Sequence, residues 1–166
     1  MKPLRTAAVA VIALVVASGV LLVGCEQRID QPTITLEAAG LQVDAHLTAI
    51  EGGLPEGLRA SNTPMDRNSC YSGVNGAADG RRQAVRSAFL EGLPEERVAE
   101  VYQAVRANLE AKGFTISTNS SDGRLIGTSA DGFDAILSGS LVKGDYLILK
   151  ILAPCVWENG TPPPKR

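Results

Sequence analysis

The chain has 166 residues, 45% of them apolar, and a formal net charge of −2. That length allows one domain with a modest core. Two basic residues, Lys2 and Arg5, and no acidic ones fall in the first 24 positions, so the remaining 142 residues carry 14 basic against 18 acidic side chains. Net charge therefore does not draw the domain to nucleic acid or to anionic lipid headgroups, and either partner would need a local basic patch. The pair Arg81-Arg82 is too short for one and reads as solvated surface.

After Lys2 and Arg5, Ala7 to Val23 is a run of 17 uncharged residues broken only by Ser18 and Gly19. A spanning helix needs about 20 apolar residues, so this run suits the core of a cleaved signal peptide. It ends in Leu22-Val23-Gly24-Cys25, which resembles the lipobox of bacterial lipoproteins. The resemblance implies that lipid is attached to the Cys25 thiol. It also implies a peptidase that recognises Leu22, Val23 and Gly24 and cuts before Cys25. Residues 1–24 are then a lipoprotein signal peptide, and 25–34, polar and containing Pro32, a lipidated tether. Several acyl chains anchor firmly, because each buried CH₂ contributes about 0.8 kcal/mol and one chain alone is marginal.

Residues 35–158 are expected to form a single α+β domain. Apolar residues at Leu36, Ala39, Val43, Leu47 and Ile50 keep a helical period, so Thr35–Glu51 is read as an N-terminal helix ending at Gly52-Gly53. Gly57 to Gly80 has no period and is rich in Ser, Asn, Gly, Asp and Pro. It reads as a long irregular segment, which a compact domain accommodates only when it is tied down. Arg82–Leu90 fits an edge strand or a helical stripe, and strand is preferred because Gly92-Leu93-Pro94 separates it from a helix. That helix is Glu95–Lys112, with Val98, Val101, Tyr102, Val105 and Leu109 on one face. Gly113 suits a left-handed cap that brings Leu109 and Phe114 together.

From Phe114 the period changes to two. Strands are expected at Phe114–Asn119, Arg124–Thr128, Phe133–Leu141 and Tyr146–Pro154, with Asp-Gly turns between them. The last strand is apolar on one face and nearly so on the other, so it should be central or covered on both sides. The expected fold is a helix packed on an antiparallel four- to five-stranded meander sheet, plus the N-terminal helix. Residues 159–166 read as a disordered Pro-rich tail. Gly-Leu-Pro-Glu occurs at 53–56 and again at 92–95, which is too little to make a repeat.

The three cysteines are an odd number. With Cys25 assigned to lipid, Cys70 and Cys155 remain. In an exported chain a disulfide is the default, with free buried thiols or a metal pair as the alternatives. His46 is the only histidine, and two cysteines with one distant histidine make a poor zinc set. Nothing near His46 looks like a nucleophile turn, so it reads as a surface or half-buried helix residue. Asp122, Asp131 and Asp145 sit beside glycine in turns, where backbone geometry alone accounts for them. Gly73, Gly76 and Gly80 neither follow a strand nor open a phosphate-binding helix. Trp157 reads as a buried cap on the core. No cofactor and no metal is implied.

Residues 92–156 carry Leu-Pro-Glu before a helix, Ala-Lys-Gly-Phe after it, Asp-Gly turns and a closing Pro154-Cys155-Val156. In these features the stretch resembles a group of uncharacterised lipoproteins from actinobacteria, and the 5 lysines against 11 arginines suit such a source. The resemblance implies an anchored α+β domain and no particular chemistry. The expected role is a lipid-anchored, extracytoplasmic envelope protein, a non-catalytic binding or interaction module for a protein or small ligand. The alternatives are a carrier of an apolar, lipid-like ligand and an envelope enzyme or enzyme accessory. Replacing Cys25 with Ser should leave unprocessed precursor and abolish incorporation of labelled fatty acid. Normal processing with retained label would contradict the lipobox assignment.

Overall fold

A computed structural model describes residues 30–72, 76–119, 123–139 and 147–164. The expected signal peptide, the lipobox-like residues Leu22, Val23 and Gly24, Cys25, and the expected turn residues Gly73, Asp122 and Asp145 lie outside the described residues. The described elements are α1 (Leu36–Glu51), β1 (Arg59–Asn62), β2 (Asp66–Ser72) and β3 (Ala77–Glu91). A 3₁₀ turn (Glu95–Arg97) follows, then α2 (Val98–Ala111), β4 (Thr115–Asn119), β5 (Arg124–Thr128), β6 (Asp134–Gly139) and β7 (Leu147–Leu152). The α+β expectation holds, and the helices pack on an antiparallel sheet.

Both helices are set by their ends as well as by their apolar stripes. The Thr35 hydroxyl accepts the Ala38 amide at 3.1 Å and starts α1. At the other end of α1, the Asn108 amide on α2 donates to the carbonyls of Ile50 at 2.9 Å and Ala49 at 3.3 Å, satisfying orphan acceptors. The expected helix from Glu95 opens as a 3₁₀ turn, in which the Arg97 amide bonds the Pro94 carbonyl at 2.9 Å. α2 closes in a Schellman arrangement: Phe114 N–H to Leu109 O and Gly113 N–H to Glu110 O, both 3.0 Å, with Gly113 at φ 83°. Leu109 and Phe114 are both buried. Gly127 on β5 lets this corner seat, since a Cβ there would lie 3.1 Å from Ile116 and 3.3 Å from Leu109 and Phe114.

The sheet is wider than expected. Its order is β1-β3-β7-β6-β5-β4, and β2 pairs with β3 to make seven strands. β4 to β7 form the anticipated meander, and β7 is central, between β3 and β6. The added strands correct the irregular reading of residues 57–80. β1 is exposed throughout and β2 buries only Cys70, so neither has an apolar face for a period to reveal. Both lie along one edge of β3. β2 takes Ala77–Val85 and β1 takes Ala88–Glu91, while β7 occupies the opposite edge at Val85–Leu90.

One face of this sheet carries the core. Ala84, Ala88 and Leu90 of β3, Leu149 and Ile151 of β7, and Ala135 and Leu137 of β6 meet Val43, Leu47 and Ile50 of α1 and Val101, Val105 and Leu109 of α2. The alternate positions Ser87, Phe89, Ile126, Ile136, Ile148, Lys150 and Leu152 face away from the helices and are half-buried.

β3 contains one irregularity that organises an end of the sheet. Between the pairs Ser69↔Arg82 and Tyr71↔Ala78, three residues of β3 oppose the single Cys70 of β2, so Asp79-Gly80-Arg81 bulges out of the ladder. Gly80 supplies the φ of 89° that the bulge requires. Strands two apart in a regular sheet are separated by about 9.6 Å. The bulge lets β2 and the segment after β7 approach more closely from either side of β3. There Cys70 and Cys155 form a disulfide with a Cα–Cα distance of 6.1 Å, across 85 residues of sequence.

A bond closing a loop of that length contributes about 4–5 kcal/mol in the chain-entropy model. Reduction, or the pair Cys70→Ala and Cys155→Ala, should lower the thermal midpoint markedly. Unreduced protein should offer neither thiol to an alkylating reagent. Two alkylated cysteines at these positions would contradict the bond.

Candidate functional site

The bulge, the disulfide and both ends of the domain meet at one place. Val156 pairs with Arg82 through two main-chain hydrogen bonds, 2.8 and 2.9 Å. The next residue, Trp157, is 7% exposed and lies over Gly80, where a Cβ would stand 3.2 Å from the indole ring. Trp157 is therefore buried, as expected, and it covers the bulge. Its indole N–H donates to the Gln31 carbonyl at 3.2 Å, and its main-chain N–H donates to the Thr33 hydroxyl at 2.9 Å. Thr33 N–H in turn bonds the Gly160 carbonyl at 2.8 Å, and Leu36 N–H the Glu158 carbonyl at 3.2 Å.

The polar segment read as tether is thus bonded to the domain from Gln31 onward. Asn159-Gly160, read as the start of the tail, form part of the same clasp, and Gly160 is buried.

Beside this clasp lies a cleft of about 400 Å³. Gln31, Thr33 and Ile34 of the entering segment form one wall, and Gln42 of α1 another. Pro154, Cys155 and Val156 face them, with Asp131 and Phe133 of the β5–β6 turn and Arg81 of the bulge completing the lining. The turn is shaped by Ser129, whose hydroxyl donates to the Asp131 carboxylate and accepts the Phe133 amide at 2.9 Å. Ile34, Phe133, Pro154 and Val156 give the cleft an apolar body. Two glutamine amides, a carboxylate and a guanidinium give it hydrogen-bonding groups, the mixture expected of a small-ligand site.

Arg81 corrects the solvated reading of Arg81-Arg82. It is 7% exposed, and its guanidinium bonds the Asp79 carboxylate through Nε at 3.1 Å and a terminal nitrogen at 2.7 Å. The Asp79 carboxylate also accepts the Arg81 amide at 2.9 Å, closing the bulge on itself. Arg82 donates to the Arg67 carbonyl at 3.0 Å across β2. The guanidinium bond to Asp79, opposed by desolvation, holds the carboxyl below the ordinary aspartate range. The one signal in sequence was Asp79-Gly80-Arg81 itself: an aspartate that bonds the amide two residues on, with glycine between, favours a turn over a continuing strand.

The other expected site residues fall as follows. Cys155 lines the cleft and is bonded to Cys70. His46 is half-buried, edge-on to Phe114 at 5.3 Å and tilted against Phe133 at 5.1 Å. It thus supports the cleft wall from behind as a packing residue. Asp131 lies at the cleft, in the turn where sequence placed it. Among the described residues no three His, Cys, Asp or Glu side chains gather as a metal set. No helix among them is long and apolar enough to cross a membrane. The chain matches no protein-family model, no curated protein and no solved structure.

The Asp79 side chain is 2% exposed, so Asp79→Asn removes the carboxylate paired with the buried Arg81 guanidinium and should cost about 1–3 kcal/mol. The sign with pH follows from the lowered pKa. The pair's stabilisation is fully present above the unfolded aspartate value of about 4 and is lost as pH falls through the lower folded value. Urea unfolding of the wild type and Asp79→Asn at several pH values checks this. The gap between them should be widest near neutrality and shrink in acid, and a gap independent of pH would contradict it.

Proposed function

We propose that the chain is a bacterial lipoprotein, held at the outer face of a membrane by lipid on Cys25. Its domain binds a small ligand in the cleft beside the clasp. The observation that carries this is where the entering chain is bonded. Only five residues lie between Cys25 and Gln31, a reach of at most about 22 Å. A domain of this length has a radius of gyration of about 14 Å and is roughly 35 Å across. A lipid on Cys25 would therefore keep the clasp, and the cleft that shares Gln31 and Thr33, on the membrane side of the domain.

The lining supports a ligand with an apolar body and hydrogen-bonding groups. A binding role is favoured over Cys-His or Ser-His catalysis by the use of His46, which such a pair would need and which packs on two phenylalanine rings. A carrier with a pocket between helix and sheet is disfavoured because that space is filled by the side chains of both helices and β3, β6 and β7.

Native mass spectrometry of the protein purified from its membrane tests the binding role. A small molecule should accompany the wild type and be lost from Gln42→Trp, which fills the cleft from the surface of α1, with the thermal midpoint little changed. Retention of the same molecule by Gln42→Trp at equal stoichiometry would overturn the assignment to this cleft.

A further inference from the structure

The far end of the sheet carries a second concavity, and the choice of a soluble ligand for it rests on the proposed anchoring. On the face away from the helices, Arg124, Ile136, Ser138, Lys150 and the Gly139 main chain enclose a groove of about 460 Å³. The register explains its composition. Lys150 is the middle outward residue of β7, between Ile148 and Leu152, and its cross-strand neighbours are Ser87 on β3 and Ile136 on β6. Neither can neutralise it. Arg124 opens β5, one residue before the Leu125↔Leu137 pair, which sets it beside Ser138.

Among the described residues neither Arg124 nor Lys150 has a carboxylate within ion-pair distance. Asp134, the acid on β6, pairs with Leu152, one outward position along from Lys150, and its carboxylate accepts the Thr128 hydroxyl at 2.7 Å. Among the described residues the groove thus holds two cations with no carboxylate at ion-pair distance, together with a hydroxyl and an isoleucine on its wall. Like charges that line one groove repel, and an anion bound between them relieves that repulsion.

We infer that this groove binds the oxyanion of a soluble, phosphate-like ligand. The Arg124 guanidinium grips two oxygens as a fork, Lys150 supplies a point charge, and Ser138 O–H donates to a third oxygen. The apolar part of the ligand lies over Ile136. A soluble source is chosen over a headgroup of the anchoring membrane because the groove lies toward the β4–β5 and β6–β7 ends of the strands. The clasp lies at the other end, by the β5–β6 turn.

The test is a titration of the full-length chain, in non-ionic detergent, with inorganic phosphate, followed by amide and guanidinium resonances. A chloride control is run at equal ionic strength. Saturable shifts should concentrate at Arg124, Ser138, Gly139 and Lys150. The double variant Arg124→Gln with Lys150→Gln should weaken binding about tenfold or more, and Lys150→Arg should retain it. Shifts spread over all basic residues alike, or binding unchanged in the double variant, would overturn the site as an adventitious charge effect. Micelles doped with phosphatidylglycerol provide the second arm. If they move the same resonances and exclude phosphate, the site belongs to headgroups and the soluble source is wrong.

Discussion

The bulge at Asp79-Gly80-Arg81 is the constraint on which the rest of this domain depends. It takes three residues out of the β3 ladder and closes them with the Asp79 carboxylate, which holds both the Arg81 amide and the Arg81 guanidinium. The displacement has three consequences. β2 and the segment after β7 come close enough for Cys70 and Cys155 to bond. Gly80, lacking a side chain, leaves room for the Trp157 ring. Arg81, turned inward, becomes part of the cleft lining. A buried ion pair is not in itself a strong stabiliser, since desolvation offsets most of its attraction. Its effect here is on geometry: it specifies one conformation for the strand at the point where four other segments converge.

Trp157 carries that geometry to the chain ends. Its two N–H groups bind Gln31 and Thr33, and Gly160 returns to Thr33 two links later. The entering and leaving segments are thereby bonded to each other as well as to the sheet. On the proposed anchoring, the domain does not swing freely on a ten-residue tether. Its clasp end stays near the bilayer, and the cleft faces the compartment from which a membrane-associated ligand would come. The Arg124–Lys150 groove sits at the opposite end, so the two concavities would sample different surroundings.

What the sequence made legible follows from what each element buries. α1, α2 and the β4–β7 meander each present an apolar face to the core, so their periods appear in the sequence, and so does the Gly113 cap. The Cys70–Cys155 pairing was open to parity counting once Cys25 was set aside. β1 and β2 were not legible because edge strands bury almost nothing and are held by main-chain bonds to β3, which any polar sequence can make. Arg81 was misread for a related reason. A charged pair in a polar stretch looks solvated, and the cleft in which Arg81 is buried is shared with Asp131 and residues 154–156, far away in sequence. The cleft was invisible for the same reason: its walls come from five separate segments, none with a motif of its own.

The central claim is that the clasp fixes which end of the domain faces the membrane. Paramagnetic relaxation from a gadolinium-chelating lipid, with the lipidated protein in vesicles, measures this directly. The account predicts strong broadening of the amides of Gln31, Asp131, Phe133 and Val156, with those of Arg124, Ser138 and Gly139 largely spared. Equal broadening at both ends, or the reverse order, would contradict it.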